Sequence, residues 1–178
     1  MLVDRIELPD PSLVVLIGAA GAGKSTFAAR HFAPSEILSS DRFRALVAGD
    51  ESDQRATRAA FGQLHRELAR RLAGGLLTVV DATSVEGTSR SALMRLARAA
   101  AVPAIAIVLD VPAATVVARN AARPRVVDEM VIRHHLERLR ATLDGPASPI
   151  LQEGFAQVVV LRDPEEVDRI RIRRLSRR

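Results

Sequence analysis

Five apolar residues, Leu13–Ile17, run straight into Gly18-Ala-Ala-Gly-Ala-Gly-Lys-Ser25-Thr26, and a helical stretch, Lys24–His31, follows. This is G-x-x-x-x-G-K-[ST] in a strand–loop–helix setting. Glycines let a backbone wrap closely around an anion because no Cβ intervenes. Successive N–H groups and the helix N-terminus present partial positive charge to it. The pattern therefore predicts a phosphate cradle built from Gly18, Ala19, Ala20, Gly21, Ala22, Gly23, Lys24, Ser25 and Thr26, with ATP or another NTP as ligand. In such a cradle Lys24 reaches the β- and γ-phosphates and the Ser25 hydroxyl ligates Mg2+. The alternative is a Gly/Ala-rich turn with a chance Lys-Ser pair. It leaves one fact without an account: of 26 basic residues 25 are Arg, and the one lysine is Lys24. A compact ammonium on a flexible stem is not interchangeable with a planar guanidinium, so a site that needs the ammonium would resist a drift toward Arg.

Short apolar runs alternate with helical patterns along the rest of the chain. Strands are expected at Leu13–Ile17, Glu36–Ser39, Leu76–Val80, Ala104–Leu109 and Gln157–Leu161. Helices are expected at Lys24–His31, Ser52–Ala73, Ser89–Ala100, Ala113–Ala122, Asp128–Leu143 and Pro164–Ile170. The second of these carries an i, i+4 stripe of Ala60, Leu64, Leu68 and Leu72. Alternating strands and helices imply parallel pairing through crossover helices. The strands lack clean alternation, as expected when both faces are covered. The fold class is α/β: a three-layer P-loop NTPase sandwich around a five-stranded parallel sheet, as a single domain over residues 1–178.

Composition narrows the function classes. With 178 residues, 48% apolar and 26% charged, the chain is long enough for one well-buried core. The absence of cysteine excludes a thiolate nucleophile and Cys-ligated zinc. The longest apolar run, Ala99–Leu109, is broken by Pro103 and too short for a bilayer. Asp4, Arg5 and Glu7 argue against a secretory leader. A cytoplasmic protein without membrane contact is expected. The net charge of +5 is local, because residues 169–178 carry six Arg and no acid; the remainder has 20 cations against 21 anions, a net −1. This basic tail is either a solvated end or a source of nonspecific, salt-sensitive attraction to nucleic acid. Adjacent His134 and His135 do not share a helix face, and the four histidines read as surface or core residues.

Other polar residues fall where a phosphoryl-transfer site needs them. Asp41, in Ser39-Ser40-Asp41-Arg42-Phe43-Arg44, follows the second strand, at the sheet edge where open α/β folds bind ligands. It suits the orientation and deprotonation of an attacking hydroxyl; it equally suits a helix cap. Arg44, one turn on, can fork onto an anionic group of the acceptor. Asp81 follows an apolar strand and reads either as a Mg2+-associated carboxylate or as a turn cap. Arg119, Arg123 and Arg125 form R-x-x-x-R-P-R, with Arg119 and Arg123 on one expected helix face. They suit a lid over about residues 113–143 that stabilises triphosphate charge, though arginine is frequent enough here for chance triplets.

Taken together, GAAGAGKSTFAARHF, EILSSDRFR, ESDQ, LTVVDAT, the Arg119–Arg125 segment and EGFAQVVVLRDPEEV resemble the polynucleotide 5′-kinase module of bacterial polynucleotide kinase-phosphatase, an RNA-repair family. The likeness runs from about Leu13 to Val167. It implies an ATP- and Mg2+-dependent kinase for 5′-hydroxyl ends of RNA or DNA. By it, Asp41 is the general base and Arg44 grips the phosphate on the 3′ side of the terminal nucleoside. Lys24 and Ser25 handle ATP and Mg2+, Arg119 and Arg123 are lid contacts, and Gln54 assists acceptor binding. It also implies strand order 2-3-1-4-5 and a homodimer. The chain departs from the family's Asp-Ala-Thr-Asn at Ser84, and its loop after Arg123 is one residue shorter. Phe43 is the obvious aromatic for base stacking in a chain with no Trp or Tyr. Two other classes use the same cradle: a small-molecule kinase for a nucleoside, sugar or antibiotic, and a noncatalytic nucleotide-dependent regulator.

Overall fold

A computed structural model describes residues 5–47, 54–144 and 148–176. Five strands form a parallel sheet: β2 (Leu13–Ile17), β3 (Ile37–Ser39), β4 (Thr78–Asp81), β5 (Ala104–Leu109) and β6 (Gln157–Leu161). Their order across the sheet is β3-β4-β2-β5-β6, which in chain order is the expected 2-3-1-4-5. All five residues of β2 are buried, and alternate side chains part to opposite faces. Val14 and Leu16 join one core cluster with Phe27, Phe32 and Ile107. Leu13, Val15 and Ile17 join the other with Leu64, Leu68 and Leu93. A strand covered on both faces has no reason to alternate polar with apolar.

The helices complete three layers. They are α1 (Lys24–His31), α2 (Ser40–Val47), α3 (Gln54–Ala73), α4 (Gly87–Ala99), α5 (Ala113–Ala121), α6 (Glu129–Leu143), α7 (Pro149–Gln152) and α8 (Pro164–Arg169). The α3 stripe faces inward, with Ala60, Leu64, Leu68 and Leu72 all at most 1% exposed. Among the described residues no helix is long and apolar enough to cross a membrane.

A second, two-stranded parallel sheet was not foreseen. In it β1 (Arg5–Asp10) pairs with β7 (Arg171–Ser176). Most of the segment read as a basic tail is therefore structured: Arg169 ends α8 and Arg171–Ser176 is a strand. Two of its arginines meet acids from distant parts of the chain. Arg174 forks onto Glu36 at 2.7 Å and lies 6.0 Å from the Phe32 ring centroid, and Arg173 lies 3.4 Å from Glu7. Ile6 and Leu8 of β1 are fully buried and anchor the pair to the core.

Candidate active site

The loop from β2 to α1 is shaped by close approaches. A Cβ on Gly18 would lie 2.9 Å from the Leu109 carbonyl oxygen, and one on Gly21, at φ 90°, 2.7 Å from that of Val116. The Gly18 N–H donates to the Thr83 carbonyl at 3.1 Å. The ends of β4 and β5 and the start of α5 thus set the loop's path. Ala19 and Ala22 are fully buried beneath it and shape the cradle from below.

Lys24 opens α1 and is buried. Its ammonium donates to the Gly18 and Ala19 carbonyls, both at 2.9 Å. Burial pushes its pKa down to about 8, against the raising influence of Asp81 and Asp41. Asp81 is the last residue of β4, whereas the sequence pattern ended that strand at Val80. Burial pushes the Asp81 carboxyl up, offset in part by a hydrogen bond from Ser25 and by the Lys24 charge. Ser25 and Asp81 are therefore adjacent oxygen donors. Among the described residues no group of three or more His, Cys, Asp or Glu could hold a metal alone. One hydroxyl and one carboxylate suit Mg2+, which keeps several waters and shares itself with substrate phosphates.

Asp41 and Arg44 stand one turn apart on α2 and form an ion pair. The cap of α2 falls to Ser39, whose Oγ accepts from the Arg42 N–H at 3.5 Å. Asp41 lies inside the first turn, so capping does not consume its carboxylate.

These groups share a cleft of about 670 Å³. Of the expected site residues, Ala20, Gly21, Gly23, Lys24, Ser25 and Thr26 line it from the loop. Asp41, Arg44 and Asp81 line it from α2 and β4, and Arg119, Arg123 and Arg125 from the far side. Gly18, Ala19 and Ala22 do not line it. The Gln54 side chain and residues 51–53 lie outside what the structure describes. Phe43 is partly buried and packs against a core cluster, so it is not a free stacking platform.

The arginine segment corrects one expectation. The helix ends at Ala121, and the Arg123 N–H donates to the Asn120 carbonyl at 3.1 Å in a turn. Arg123 precedes Pro124, which disfavours continued helix. Arg119 and Arg123 therefore share the cleft but not a helix face. Arg119 reaches back to the loop and donates to the Ala22 carbonyl at 3.3 Å.

Two residues escaped the sequence reading. Asn120 is buried and bonds both backbone groups of Val127. His135 lines the cleft; burial first, and then the Lys24 charge, hold its imidazole below the ordinary value. An Asn near a helix end and one of two adjacent histidines carry no spacing signal. Ser84 takes φ 49°, a left-handed conformation in which Asn is enriched, and Asn is what the family resemblance leads one to expect there.

The model of the AAA_33 family, described as an AAA domain, matches residues 13–146. A comparison with curated proteins gave no match. Among solved structures the chain is similar to the Pnkp1/Rnl/Hen1 RNA repair complex, at 18% identity over 96% of this chain and 80% of that one, with a TM-score of 0.62. It is similar to shikimate kinase from Acinetobacter baumannii, at 19% identity over 89% and 88%, with a TM-score of 0.57. A sugar kinase from Janibacter sp. HTCC2649 matches at 20% identity over 88% and 90%, with a TM-score of 0.55. At these identities the likeness establishes a shared P-loop kinase fold and leaves the acceptor open.

Proposed function

The chain belongs to the AAA_33 family of AAA domains, and on that premise we propose that it is an ATP-dependent kinase for the 5′-hydroxyl ends of polynucleotides. One observation carries the reading. Asp41 and Arg44 line the same cleft as the cradle, near enough that the Asp41 charge acts on Lys24.

In this reading the 5′ oxygen attacks the γ-phosphorus and the bond to the bridging oxygen breaks, releasing ADP. The hydroxyl proton passes to Asp41 and then to water. Phosphoryl transfer has a loose transition state, so Asp41 serves more by orienting the nucleophile than by basicity. Arg44 forks onto the phosphate on the 3′ side of the terminal nucleoside. Lys24, Arg119, Arg123 and Arg125 meet charge that spreads over the transferring oxygens. Ser25 and Asp81 would hold Mg2+, which neutralises phosphate charge when bound. Gln54 is assigned to acceptor binding on the family resemblance alone. The likeness to an RNA repair complex supports the reading, but the sugar and shikimate kinases share the fold, so the acceptor assignment rests on Asp41 and Arg44.

The test is an acceptor series with ATP and Mg2+: a nucleoside, its 3′-phosphate, a short 5′-hydroxyl oligonucleotide, a sugar acid and shikimate. The expected result is 5′-phosphorylated oligonucleotide, with the 3′-phosphate improving the nucleoside. Turnover of a sugar or shikimate with no oligonucleotide product overturns the assignment.

A further inference from the structure

A second cleft, of about 270 Å³, opens between α3, the end of β4 and the start of α4. Ala82, the residue after Asp81, lines both clefts. Their walls differ in kind. Leu64, Val80 and Leu93 give the second an aliphatic floor, and Phe61 and His65 add rings whose centroids are 6.4 Å apart. Ser84, Thr88 and Ser89 add hydroxyls, and among the described residues no Asp, Glu, Lys or Arg lines it. Burial, then the Arg95 charge, lower the His65 pKa.

Phe61 stands apart among the five phenylalanines. Phe27 and Phe32 are buried in one core cluster, and Phe43 and Phe155 pack against the other. Phe61 lines the cleft, with its ring beside that of His65. In a chain without Trp or Tyr, it is the phenylalanine that lines this cleft.

Building on the kinase reading above, we propose that this cleft receives the nucleobase of the acceptor's 5′-terminal nucleoside. The base would lie against Phe61, its polar edge meeting the hydroxyls of Ser84, Thr88 and Ser89. The cleft is smaller than the roughly 300–1,000 Å³ that encloses a whole ligand, so it suits one ring of a larger molecule. Among the described residues no cation lines it to pair with a phosphate or a carboxylate, which argues against a sugar acid or shikimate as its occupant. It shares Ala82, next in sequence to Asp81, with the cleft that Asp41 and Arg44 line, which puts it on the acceptor side in the kinase reading. Hydroxyls both donate and accept, so all four bases are tolerated.

The test is nucleoside binding by ligand-observed NMR. The protein is first saturated with Mg2+ and a nonhydrolysable ATP analogue, so that the ATP base position is filled. Adenosine and uridine are compared with ribose, in the native chain, in Ala92→Leu, which fills the cleft, and in Phe61→Ala, which removes the ring. Thermal stabilisation by the ATP analogue checks that each variant folds, and Phe61→Ala decides if Ala92→Leu does not. The expected result is binding of both nucleosides in preference to ribose, weakened about tenfold or more in the variants, the scale of one lost stacking contact. Ribose binding as well as the nucleosides, or unchanged nucleoside affinity in the folded variants, overturns the proposal. Kinase assays separate the two readings. Nucleoside binding without any oligonucleotide turnover removes the kinase assignment and leaves the cleft. Equal turnover of oligonucleotides with an ordinary and an abasic 5′ terminus removes the cleft and leaves the kinase assignment.

Discussion

Asn120 clamps Val127 through both ends of its amide: Nδ2 donates to the Val127 carbonyl at 2.8 Å, and Oδ1 accepts from the Val127 N–H at 3.0 Å. The side chain is buried at the end of α5, and Gly21 of the cradle packs so closely there that an added Cβ would lie 3.4 Å from Asn120. The chain between the clamped residues carries Arg123 and Arg125. One amide therefore closes the arginine turn and abuts the phosphate loop.

Asn120→Ala leaves the backbone N–H and carbonyl of Val127 without that partner. Val127 is half-buried, so the expected loss of stability is about 0.5–1.5 kcal/mol, the net worth of a typical hydrogen bond, read from denaturant unfolding. Because the clamp spaces the arginines, the KM for ATP should rise as well. Unchanged stability together with an unchanged KM would show that the turn holds its shape without the amide.

Arg90 holds a different junction. It is 2% exposed and forks onto Glu153 at 2.6 and 2.7 Å, and its Nη1 donates to the Ser84 and Val85 carbonyls at 3.0 and 2.7 Å. One guanidinium thus joins the turn after β4 to the end of α7. Arg90→Ala strands a mostly buried carboxylate and two carbonyls, so unfolding should become easier by about 3–5 kcal/mol. Arg90→Lys keeps the charge without the fork and should recover only part of this. A loss no larger than about 1 kcal/mol, the worth of an exposed pair, would contradict the role read from these contacts.

Lys24 gives a pH dependence with a definite sign. Its pKa is held near 8 by burial, and the negative charge of a triphosphate raises it. Above about pH 8 the free protein has largely lost this proton and must regain it to bind ATP. Affinity should therefore fall as pH rises past about 8, with proton uptake on binding. Calorimetry at about pH 8.5 in buffers of different ionisation enthalpy measures that uptake. Proton release, or no exchange, would separate Lys24 from the phosphates. Lys24→Arg should abolish the dependence in this range, because a guanidinium does not titrate there.

How much of this was legible in the sequence follows from how local each contact is. The Gly18–Thr26 loop is read from spacing because its glycines and lysine act within a few residues. β2 and β5 are read from unbroken apolar runs because both of their faces are covered. β7 is hidden: half of Arg171–Ser176 is arginine, and the acids that meet two of those arginines, Glu7 and Glu36, lie far away in the chain. Arg123 looked helical because spacing alone does not reveal that the turn before Pro124 has already begun. Asn120 bonds Val127, seven residues on, and His135 lines the cleft from α6, and neither placement follows from a motif or a periodic spacing.

The Asp41–Arg44 pair separates orientation from charge. In the structure the guanidinium is held by the carboxylate one turn before it, so removing either group also frees the other. Asp41→Ala should lower turnover by about 10²–10⁴, the usual span for a lost general base, while ATP binding persists, because Asp41 touches the cradle only through its charge on Lys24. That charge raises the Lys24 pKa, so the same substitution should shift the fall in ATP affinity to lower pH. Arg44→Lys retains a cation but loses the fork that matches a phosphate. Its effect should fall on the acceptor KM and grow when the acceptor carries a 3′-phosphate. Steady-state kinetics with a nucleoside and its 3′-phosphate distinguish the cases. If Arg44→Lys weakens both acceptors equally, Arg44 acts by holding Asp41 in place and does not meet the acceptor's phosphate.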